Sequence, residues 1–342
     1  MEINLMSDTV TKPTPEMLEA MMQAKVGDDV FKSDPSINAL EEKVAELFGM
    51  EAALFFPSGT MTNQTAIKLH TQPGDQLICD KNAHIYNFEG GGISFNSGVS
   101  CKLTDGARGT ITAAQVEACI NPFDFYHSPP TTLVCVENTA NKGGGTCWDF
   151  KALQEIRTVC DTHQLAYHLD GARLWNALVA KAESPKQYGA LFDTISVCLS
   201  KGLGCPVGSL LVGSRKCIDN AMKFRKIFGG AMRQSGYLAA AGIYALDHHI
   251  DRLAEDHRRA KEIGEVLGSL SIVKSIAPVE TNIIIFTLDK TLISEEQFLK
   301  ELEQHQIYII GVGQGKLRIV THLDYTEAMH ERLLHVLRKN YS

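Results

Sequence analysis

The sequence predicts an α/β fold, with a large domain whose mostly parallel sheet is sandwiched by helices and a smaller C-terminal α+β domain. Between Ala52 and Gly213, short apolar runs alternate with helical stretches. The runs are apolar at every position rather than at every second one, which is typical of parallel strands buried on both faces. After about Leu246 the pattern changes to longer charged helices. We therefore expect a large domain over 1–246 and a small domain over 247–342.

The elements of the large domain follow in order after an N-terminal arm that we expect to be extended. DPSINALEEKVAELFG predicts a helix, because Asp34 is placed to cap it, Pro35 suits its first turn and Gly49 its end. The six strand candidates are AALFF, QLICD, TTLVCVEN, LAYHLD, TISVCLS and VGSLLVG. TMTNQTAIKLH and DFKALQEIRTVCDTHQ are predicted helices between them.

The C-terminal region is predicted to be one helix, three strands and two further helices. The first helix is HHIDRLAEDHRRAKEIGEVLGSL, and the strand candidates are TNIIIFTL, QIYIIGV and KLRIVTHL. ISEEQFLKELEQHQ and YTEAMHERLLHVLRKN are the other helices. GVGQGK departs from the dinucleotide-binding pattern, so we interpret it as a turn.

Composition and charge limit the class of protein. The chain has 342 residues and a net charge of −7, so we expect no nucleic-acid partner. The nine cysteines include no CxxC pair, which favours reduced thiols in a cytoplasmic protein over a disulfide framework or a zinc site, and we expect no metal. The sequence has neither a secretory signal pattern nor an apolar run of the roughly 20 residues that a membrane helix needs, so we expect no membrane partner.

Polar residues follow several strands of the predicted sheet. They are Ser58, Asn138, Asp170 and Lys201. Ligands of open α/β sheets bind at the carboxyl ends of strands, so these residues indicate one common crevice.

Lys201 follows the apolar run SVCLS and precedes a glycine-rich turn. A desolvated lysine has a lowered pKa and forms Schiff bases as a neutral nucleophile. The alternative is an ammonium group that reaches solvent or pairs with an acid.

Asp170 ends the apolar strand in LAYHLDGARLWNA. A carboxylate buried there needs a cationic partner. The candidates are a pyridinium nitrogen, a metal or Arg173.

Ser58, Gly59 and Thr60 lie where a strand turns into a helix. The unpaired N–H groups of such a helix start bind phosphate, although an ordinary N-cap by Ser58 or Thr60 is equally compatible with the pattern.

Two histidines and an arginine complete the candidate set. His84 follows the second strand, where an imidazole stacks on a planar ligand or moves protons. His127 is a weaker candidate of the same kind, and both are equally compatible with a loop histidine. Arg318 lies on a C-terminal strand and suits a carboxylate, unless it is an exposed strand charge. Together the set suits pyridoxal 5′-phosphate (PLP) with a small-molecule amino-acid substrate.

The sequence resembles the low-specificity L-threonine aldolases of the fold-type-I PLP enzymes, whose architecture is like that of aspartate aminotransferase. The resemblance covers nearly the whole chain. It rests on SDTVTKPTPEM, GDDVF, FPSGTMTNQ, AHIYNFEGGG, VENT, HLDGARLWNA, VCLSKGLGCPVGS and GGAMRQSG.

The resemblance implies a role for each candidate residue. Lys201 bonds to the cofactor, Asp170 contacts its ring nitrogen and His84 stacks on its ring. The phosphate is held at Ser58, Gly59 and Thr60. The substrate carboxylate is held by Ser7, Arg173 and Arg318, with Arg173 also beside the cofactor, and His127 lies near the substrate hydroxyl. Lys226 and Arg233 reach the cofactor from a neighbouring subunit of a homotetramer with sites at a dimer interface.

The implied activity is cleavage of L-threonine or L-allo-threonine to glycine and acetaldehyde, with His84, His127 or a water as the base. The alternatives are another PLP enzyme acting on a small amino acid, such as a β-eliminating lyase, a transaminase or a hydroxymethyltransferase, and a non-catalytic phosphate-binding α/β protein. Phe31, Lys32, Ser33 and Ala140 depart from the family pattern.

Overall fold

A seven-stranded sheet forms the centre of the N-terminal part of the computed structural model, which describes residues 1–341. The strands of the chain are β1 (Ile3–Asn4), β2 (Ala52–Phe56), β3 (Gln76–Asp80), β4 (Ser100–Thr104), β5 (Thr131–Glu137), β6 (Ala166–Gly171), β7 (Thr194–Cys198), β8 (Ser209–Gly213), β9 (Val273–Ile276), β10 (Ile283–Leu288), β11 (Ile307–Tyr308), β12 (Ile310–Gly311) and β13 (Lys316–Val320). The order in the large sheet is β2-β8-β7-β6-β5-β3-β4. All pairs are parallel except those of β8, which runs against both β2 and β7. The mostly parallel sheet that the sequence predicts is confirmed.

Fourteen α-helices accompany the strands within residues 1–341. They are α1 (Pro15–Met22), α2 (Pro35–Phe48), α3 (Gly59–His70), α4 (His84–Asn87), α5 (Gly92–Ser97), α6 (Ala113–Glu117), α7 (Phe150–His163), α8 (Leu174–Lys181), α9 (Pro185–Gly189), α10 (Arg215–Ile227), α11 (Gly236–His248), α12 (Leu253–Ser269), α13 (Glu295–Gln304) and α14 (Glu327–Tyr341). No helix within residues 1–341 combines the length and the apolar character needed to cross a membrane.

Helix α2 begins and ends where its capping residues predict. The Asp34 carboxylate accepts hydrogen bonds from the backbone N–H groups of Ser36 and Ile37, both at 3.1 Å. Gly49 ends the helix with φ of +61°, a left-handed conformation that glycine adopts without strain. Local chemistry alone therefore sets both ends of this element.

Strand β4 is absent from the prediction because its sequence, SCKLT, contains no apolar run. It lies at the edge of the sheet beside β3, and only its last residue, Thr104, is buried. An edge strand that is half exposed needs few apolar residues, so its pattern resembles that of a loop.

A second sheet, in the order β12-β13-β10-β9, lies in the C-terminal part of the chain and packs against a separate apolar core. The predicted strand QIYIIGV is divided, because β11 pairs with β1 of the N-terminal arm while β12 pairs with β13. The arm is therefore not simply extended and polar: Ile3 and Leu5 are completely buried in this second core.

The predicted helix from His248 onward is also divided, since α11 ends at His248 and α12 begins at Leu253. The domain boundary at residue 246 stays a prediction.

The topology brings the carboxyl ends of β3, β5, β6 and β7 to one edge of the large sheet. Because β8 runs the opposite way, its first residue, Ser209, pairs with both Phe56 at the end of β2 and Cys198 at the end of β7. The start of α3 and the turn that carries Lys201 therefore flank the same strand end.

Candidate functional site

Lys201 lies in the turn that follows β7, and its amine has no acidic partner. Nζ donates a hydrogen bond to Sγ of Cys198 at 3.5 Å. The carbonyl oxygen of Lys201 accepts a hydrogen bond from the Thr11 hydroxyl at 3.1 Å, which ties this turn to the N-terminal arm. Among residues 1–341, no carboxylate lies within 4.0 Å of the amine. The amine is half-buried and available to react.

Asp170, near the end of β6, is a buried carboxylate that lacks a cation. One oxygen accepts a hydrogen bond from the Asn63 amide at 3.0 Å and the other from the Ala172 N–H at 3.1 Å. Its exposed fraction is 3%. The suggestion that Arg173 neutralises Asp170 is wrong, because Arg173 pairs elsewhere. Burial of an unpaired carboxylate is costly, so Asp170 suits a protonated nitrogen of a bound ligand.

Arg173 instead forms a bidentate ion pair with Asp8 of the N-terminal arm. Nε and Nη2 of Arg173 donate to the two Asp8 oxygens at 2.8 and 2.6 Å, and Asn282 donates to the same carboxylate at 3.2 Å. Burial alone would raise the pKa of Asp8. The charge and hydrogen bonds of Arg173, followed by the charge of Lys201, outweigh burial and lower the pKa of Asp8 to about 2. The pair leaves Nη1 of Arg173 free of Asp8.

Arg318, on β13, has no carboxylate partner in the described part of the chain. Nη1 donates to Oδ1 of Asn141 at 3.1 Å and Nη2 to the carbonyl of Met6 at 2.9 Å, whereas its buried Nε has no partner among residues 1–341. Burial, and then the nearby charge of Arg173, lower the pKa of Arg318. A cation held by neutral groups suits an incoming carboxylate.

His84 is oriented by a buried carboxylate that the sequence analysis does not single out. Its Nδ1 donates to Oε1 of Glu89 at 3.0 Å, and its backbone N–H donates to Glu137 at 2.8 Å. The side chains of His84, Glu89 and Asp170 each place one ligand atom within 4.8 Å of the others. Burial would lower the pKa of His84, but the Glu89 hydrogen bond and the charges of Asp170 and Glu137 raise it overall.

Glu137 is the second acid that the sequence analysis does not name. It ends β5, and its carboxylate accepts the N–H groups of His84 and Asn141, both at 2.8 Å. Burial, and then the negative charge of Asp170, raise the pKa of Glu137 to about 7. Its position at a strand end in VENT is the signal that would have identified it.

Asn63 on α3 joins Asp170 to two further groups. Its amide nitrogen donates to both Asp170, at 3.0 Å, and Glu89, at 2.9 Å. Its Oδ1 therefore faces Nε2 of His168, 3.2 Å away, while Nδ1 of His168 lies 2.9 Å from the Thr194 hydroxyl. Burial, followed by the charge of His70, lowers the pKa of His168 to about 3, so this histidine is neutral.

The start of α3 is closely packed against the turn of Lys201. Ser58 caps the helix, because its hydroxyl accepts the Met61 N–H at 3.2 Å, and the first N–H groups, at Gly59 and Thr60, lie in the turn that has no intrahelical acceptors. A Cβ atom on Gly59 would lie 2.7 Å from Sγ of Cys198. A larger residue at position 59 would require the Cys198 side chain to shift, and the free N–H groups of the helix start suit a phosphate.

The remaining predicted residues are not joined to this group by contacts within the chain. Ser7 accepts hydrogen bonds from Thr9 and lies next to Asp8. His127 is exposed and contacts only the rings of Phe125 and Tyr126 among the aromatic side chains of residues 1–341. Lys226 is exposed at the end of α10.

Arg233 and the positions that depart from the family pattern also lie apart. Arg233 pairs with Asp28 at 2.7 Å. Phe31 has an exposed fraction of 76%, and Lys32 pairs with Glu41 at 3.0 Å. Ala140 is buried and pairs with Thr146. None of these contacts reaches Lys201 or Asp170.

Comparisons with known proteins agree with this geometry. Residues 4–291 match the beta-eliminating lyase family. Low-specificity L-threonine aldolase 1 of Arabidopsis thaliana is 40% identical over 329 residues, which cover 95% of this chain and 92% of that protein. The low specificity L-threonine aldolase of Escherichia coli (strain K12) is 42% identical over 323 residues, which cover 94% of each chain.

Solved structures show the same fold. Leishmania major threonine aldolase is similar with a TM-score of 0.84 at 22% identity, over 98% of this chain and 99% of its own. Sphingomonas wittichii serine palmitoyltransferase is similar with a TM-score of 0.75 at 17% identity, over 99% and 86%. The resemblance seen in the sequence motifs is thus confirmed, and the chain belongs to the beta-eliminating lyase family and, within it, to the low-specificity L-threonine aldolases.

Proposed function

We propose that this protein is a PLP-dependent aldolase that cleaves L-threonine and L-allo-threonine to glycine and acetaldehyde. The observation that carries the proposal is that the neighbouring strands β6 and β7 lead to Asp170, a buried carboxylate without a cation, and to Lys201, an amine without an acidic partner. A ligand with a ring nitrogen and an aldehyde supplies what both residues lack. Membership of the threonine aldolases supports the same activity.

Three groups would hold the cofactor. Lys201 would bond to its aldehyde, Asp170 would accept a hydrogen bond from its ring nitrogen, and the N–H groups at the start of α3, at Gly59 and Thr60 behind Ser58, would bind its phosphate. When bound, PLP supplies a ring that accepts the electron pair of the breaking Cα–Cβ bond. Asp170 would keep a proton on the ring nitrogen, and the positive charge would make the ring a better acceptor of that electron pair.

The substrate carboxylate would bind between the two arginines. Arg318 has an unpartnered Nε and only neutral acceptors, so it carries the free positive charge of the site. Arg173 offers Nη1, since Asp8 occupies its other edge. Ser7, next to Asp8, is the third proposed contact. Two fixed guanidinium groups would set the rotation of the substrate about Cα and hence which bond breaks.

His84 is the favoured base for the substrate hydroxyl. Its Nδ1 is bound to Glu89, so Nε2, which has no partner among residues 1–341, is the atom that would take the proton. Burial would lower the pKa of His84, but the Glu89 hydrogen bond, together with the nearby acids, outweighs it, and the raised pKa makes Nε2 a stronger proton acceptor. His127 is the second candidate, and it requires its exposed loop to approach the substrate.

We also propose a homotetramer in which Lys226 and Arg233 contact the cofactor of a neighbouring subunit. Their exposure in the single chain supports this arrangement. A cytoplasmic location is supported by the nine cysteines, all of which are unpaired. We further propose that the chain divides into two domains at residue 246. Sedimentation velocity on the purified protein tests the assembly.

Product analysis tests the reaction. Wild-type protein, loaded with PLP, is incubated with each threonine diastereomer, and acetaldehyde and glycine are measured. Equal amounts of both products support the aldolase. Release of 2-oxobutyrate and ammonia instead would favour a β-eliminating lyase, and transfer of the amino group to an added 2-oxo acid would favour a transaminase. A protein that stays colourless with PLP would favour a non-catalytic phosphate-binding protein.

A further inference from the structure

A cavity of about 850 Å³ lies between the loops that follow β3, β4 and β5 and the second sheet. Its lining includes four basic side chains: Lys81, Arg108, Lys142 and Lys316. Two of them are neutralised within the chain, since Lys81 pairs with Asp105 at 2.7 Å and Arg108 with Glu280 at 2.6 Å. Asp105 and Glu280 are therefore already paired and do not neutralise the other two basic side chains.

Lys142 and Lys316 have no such partner. Among residues 1–341, no carboxylate lies within 4.0 Å of either amine, and Nζ of Lys142 donates only to the carbonyl of Val312, at 3.0 Å. Burial, and then the charges of Arg318 and Lys316, lower the pKa of Lys142. Lys142, Lys316 and Arg318 are thus neighbouring positive charges, and none of them is paired with a carboxylate of residues 1–341.

Contacts join this cavity to the proposed catalytic site. Nζ of Lys142 lies 5.1 Å from the centre of the Phe88 ring, and that ring lies 5.6 Å from the ring of His84. On the other side, Asn141 holds Arg318 at 3.1 Å. Lys316 precedes Arg318 by two residues on β13, so both side chains leave the same face of the sheet. Phe88 therefore lies between Lys142 and the proposed base, and Asn141, the residue before Lys142, contacts the proposed carboxylate site.

Assigning a negative partner to each of these cations shows what kind of ligand would bind here. Asp8 neutralises Arg173, and the α-carboxylate of an amino acid would neutralise Arg318. The two lysines would remain unpaired with threonine, whose side chain carries no charge. We propose that Lys142 and Lys316 bind a second anionic group on the β-carbon of the substrate, so that the site prefers β-hydroxy amino acids with a side-chain carboxylate, such as 3-hydroxyaspartate. This inference rests on the proposed aldolase function.

The reaction with such a substrate needs no further reactant. The base takes the β-hydroxyl proton, the Cα–Cβ bond of 3-hydroxyaspartate breaks, and Cα receives a proton. The products are glycine and glyoxylate, which together contain all the atoms of the substrate. The Cβ carboxylate stays on the aldehyde product and would keep its contact with Lys142 until release.

Steady-state kinetics of the PLP-loaded enzyme test the proposal. The quantity compared is the ratio of kcat/KM for 3-hydroxyaspartate (threo and erythro forms) to that for L-threonine. We expect the ratio to exceed one in the wild type, to fall at least 10-fold in Lys142→Gln and to fall less in Lys316→Gln, which is more exposed. Lys81→Gln is the matched control, because Lys81 lines the same cavity but already has a partner, and its ratio should not change.

Calorimetry gives a readout that does not depend on turnover. L-aspartate lacks the β-hydroxyl and cannot be cleaved in this way, and L-alanine lacks the second carboxylate. Lys142→Gln should weaken aspartate binding at least 10-fold and leave alanine binding within 2-fold. A wild-type enzyme that cleaves threonine but shows equal ratios in Lys142→Gln and Lys81→Gln overturns this inference alone. Absence of cleavage of every substrate overturns the proposed function, and the aspartate titration still decides the anion site.

Discussion

Asp8 and Arg173, which are 165 residues apart in the chain, form a fully buried bidentate ion pair at 2.6 and 2.8 Å. The pair joins the N-terminal arm to the segment after β6, and Asn282 adds a contact from the second sheet. Three distant segments thus fix one guanidinium group. Under the proposed function, Asp8 would position Arg173 for the substrate carboxylate without touching the substrate.

Asp8→Asn should weaken substrate binding and lower stability together. Loss of one partner from a buried pair leaves an uncompensated charge and costs about 3–5 kcal/mol. We expect KM for threonine to rise by about 10-fold or more, a change of about 1.4 kcal/mol, with a smaller change in kcat. Kinetics and urea denaturation measure the two effects. Asn282→Ala is the control, because it removes the hydrogen bonds of that amide to Asp8 and to the Thr321 carbonyl and keeps the ion pair. Unchanged KM and stability in Asp8→Asn would contradict the role.

Replacing Asp170 with Asn should leave the cofactor bound and slow the reaction. The amide has one acceptor oxygen, so it keeps the hydrogen bond from either Asn63 or Ala172 but not both, and it cannot hold a proton on a ring nitrogen. By analogy with other electrostatic groups, we expect kcat to fall by about 10²–10³-fold. Absorbance spectra of the loaded protein check cofactor content, with Glu89→Gln as a variant in the same network. Full activity in Asp170→Asn would exclude its contact with the ring nitrogen.

Lys201→Ala should abolish both the visible absorbance of the bound cofactor and turnover. The reason is that Lys201 is the one proposed covalent attachment point, with an amine that no acid neutralises. Borohydride reduction followed by peptide mass spectrometry should locate the pyridoxyl group on Lys201 in the wild type. Lys223→Ala, on the exposed face of α10, is the control. A label on a different lysine would refute the assignment.

His168 should make the protein sensitive to mild acid. Its pKa is about 3 in the folded chain and 6.5 in the reference state, so the native state favours the neutral form. Its contribution to stability is complete above pH 6.5 and is lost progressively as the pH falls towards 3. Each pKa unit corresponds to about 1.4 kcal/mol, so the loss amounts to several kcal/mol. Denaturation midpoints between pH 7 and 4.5 should fall more steeply in the wild type than in His168→Gln. Asp8 contributes only at lower pH, between about 3.8 and 2, since its pKa is lowered.

Gly59→Ala should destabilise the protein through its contact with Cys198. The new Cβ would lie 2.7 Å from Sγ, and overpacking of this kind costs about 1–3 kcal/mol. Adding Cys198→Ala removes the sulfur and should restore most of the stability. PLP affinity, measured by titration, should remain reduced in the double variant, since the new Cβ belongs to the same residue as one of the N–H groups proposed to bind the phosphate. Recovery of both quantities would mean that packing alone requires glycine here.

Local patterns predicted most of the fold and the centre of the site. Helix α2 was predictable because its caps lie within its own sequence, and Lys201 and Asp170 because each follows an apolar strand. The ion pair of Asp8 was not, since its partner is distant in sequence and no local pattern requires it. Glu89 belongs to a motif of the family, but only the fold shows that it holds His84. His127, Lys226 and Arg233 stay predictions.

Strand β8 has a consequence for which ligands can bind. Its reversed direction places Ser209 between the ends of β2 and β7, and Sγ of Cys198, at the end of β7, lies beside both Gly59 at the start of α3 and the amine of Lys201, so the span between the helix start and the amine is short. The hydrogen bonds of β8 to β2 and β7 fix the strand ends that precede both segments and so limit this span. The span selects molecules by the separation between their anionic end and their aldehyde. Pyridoxal without its phosphate reaches only one end of it, and added inorganic phosphate would have to occupy the other.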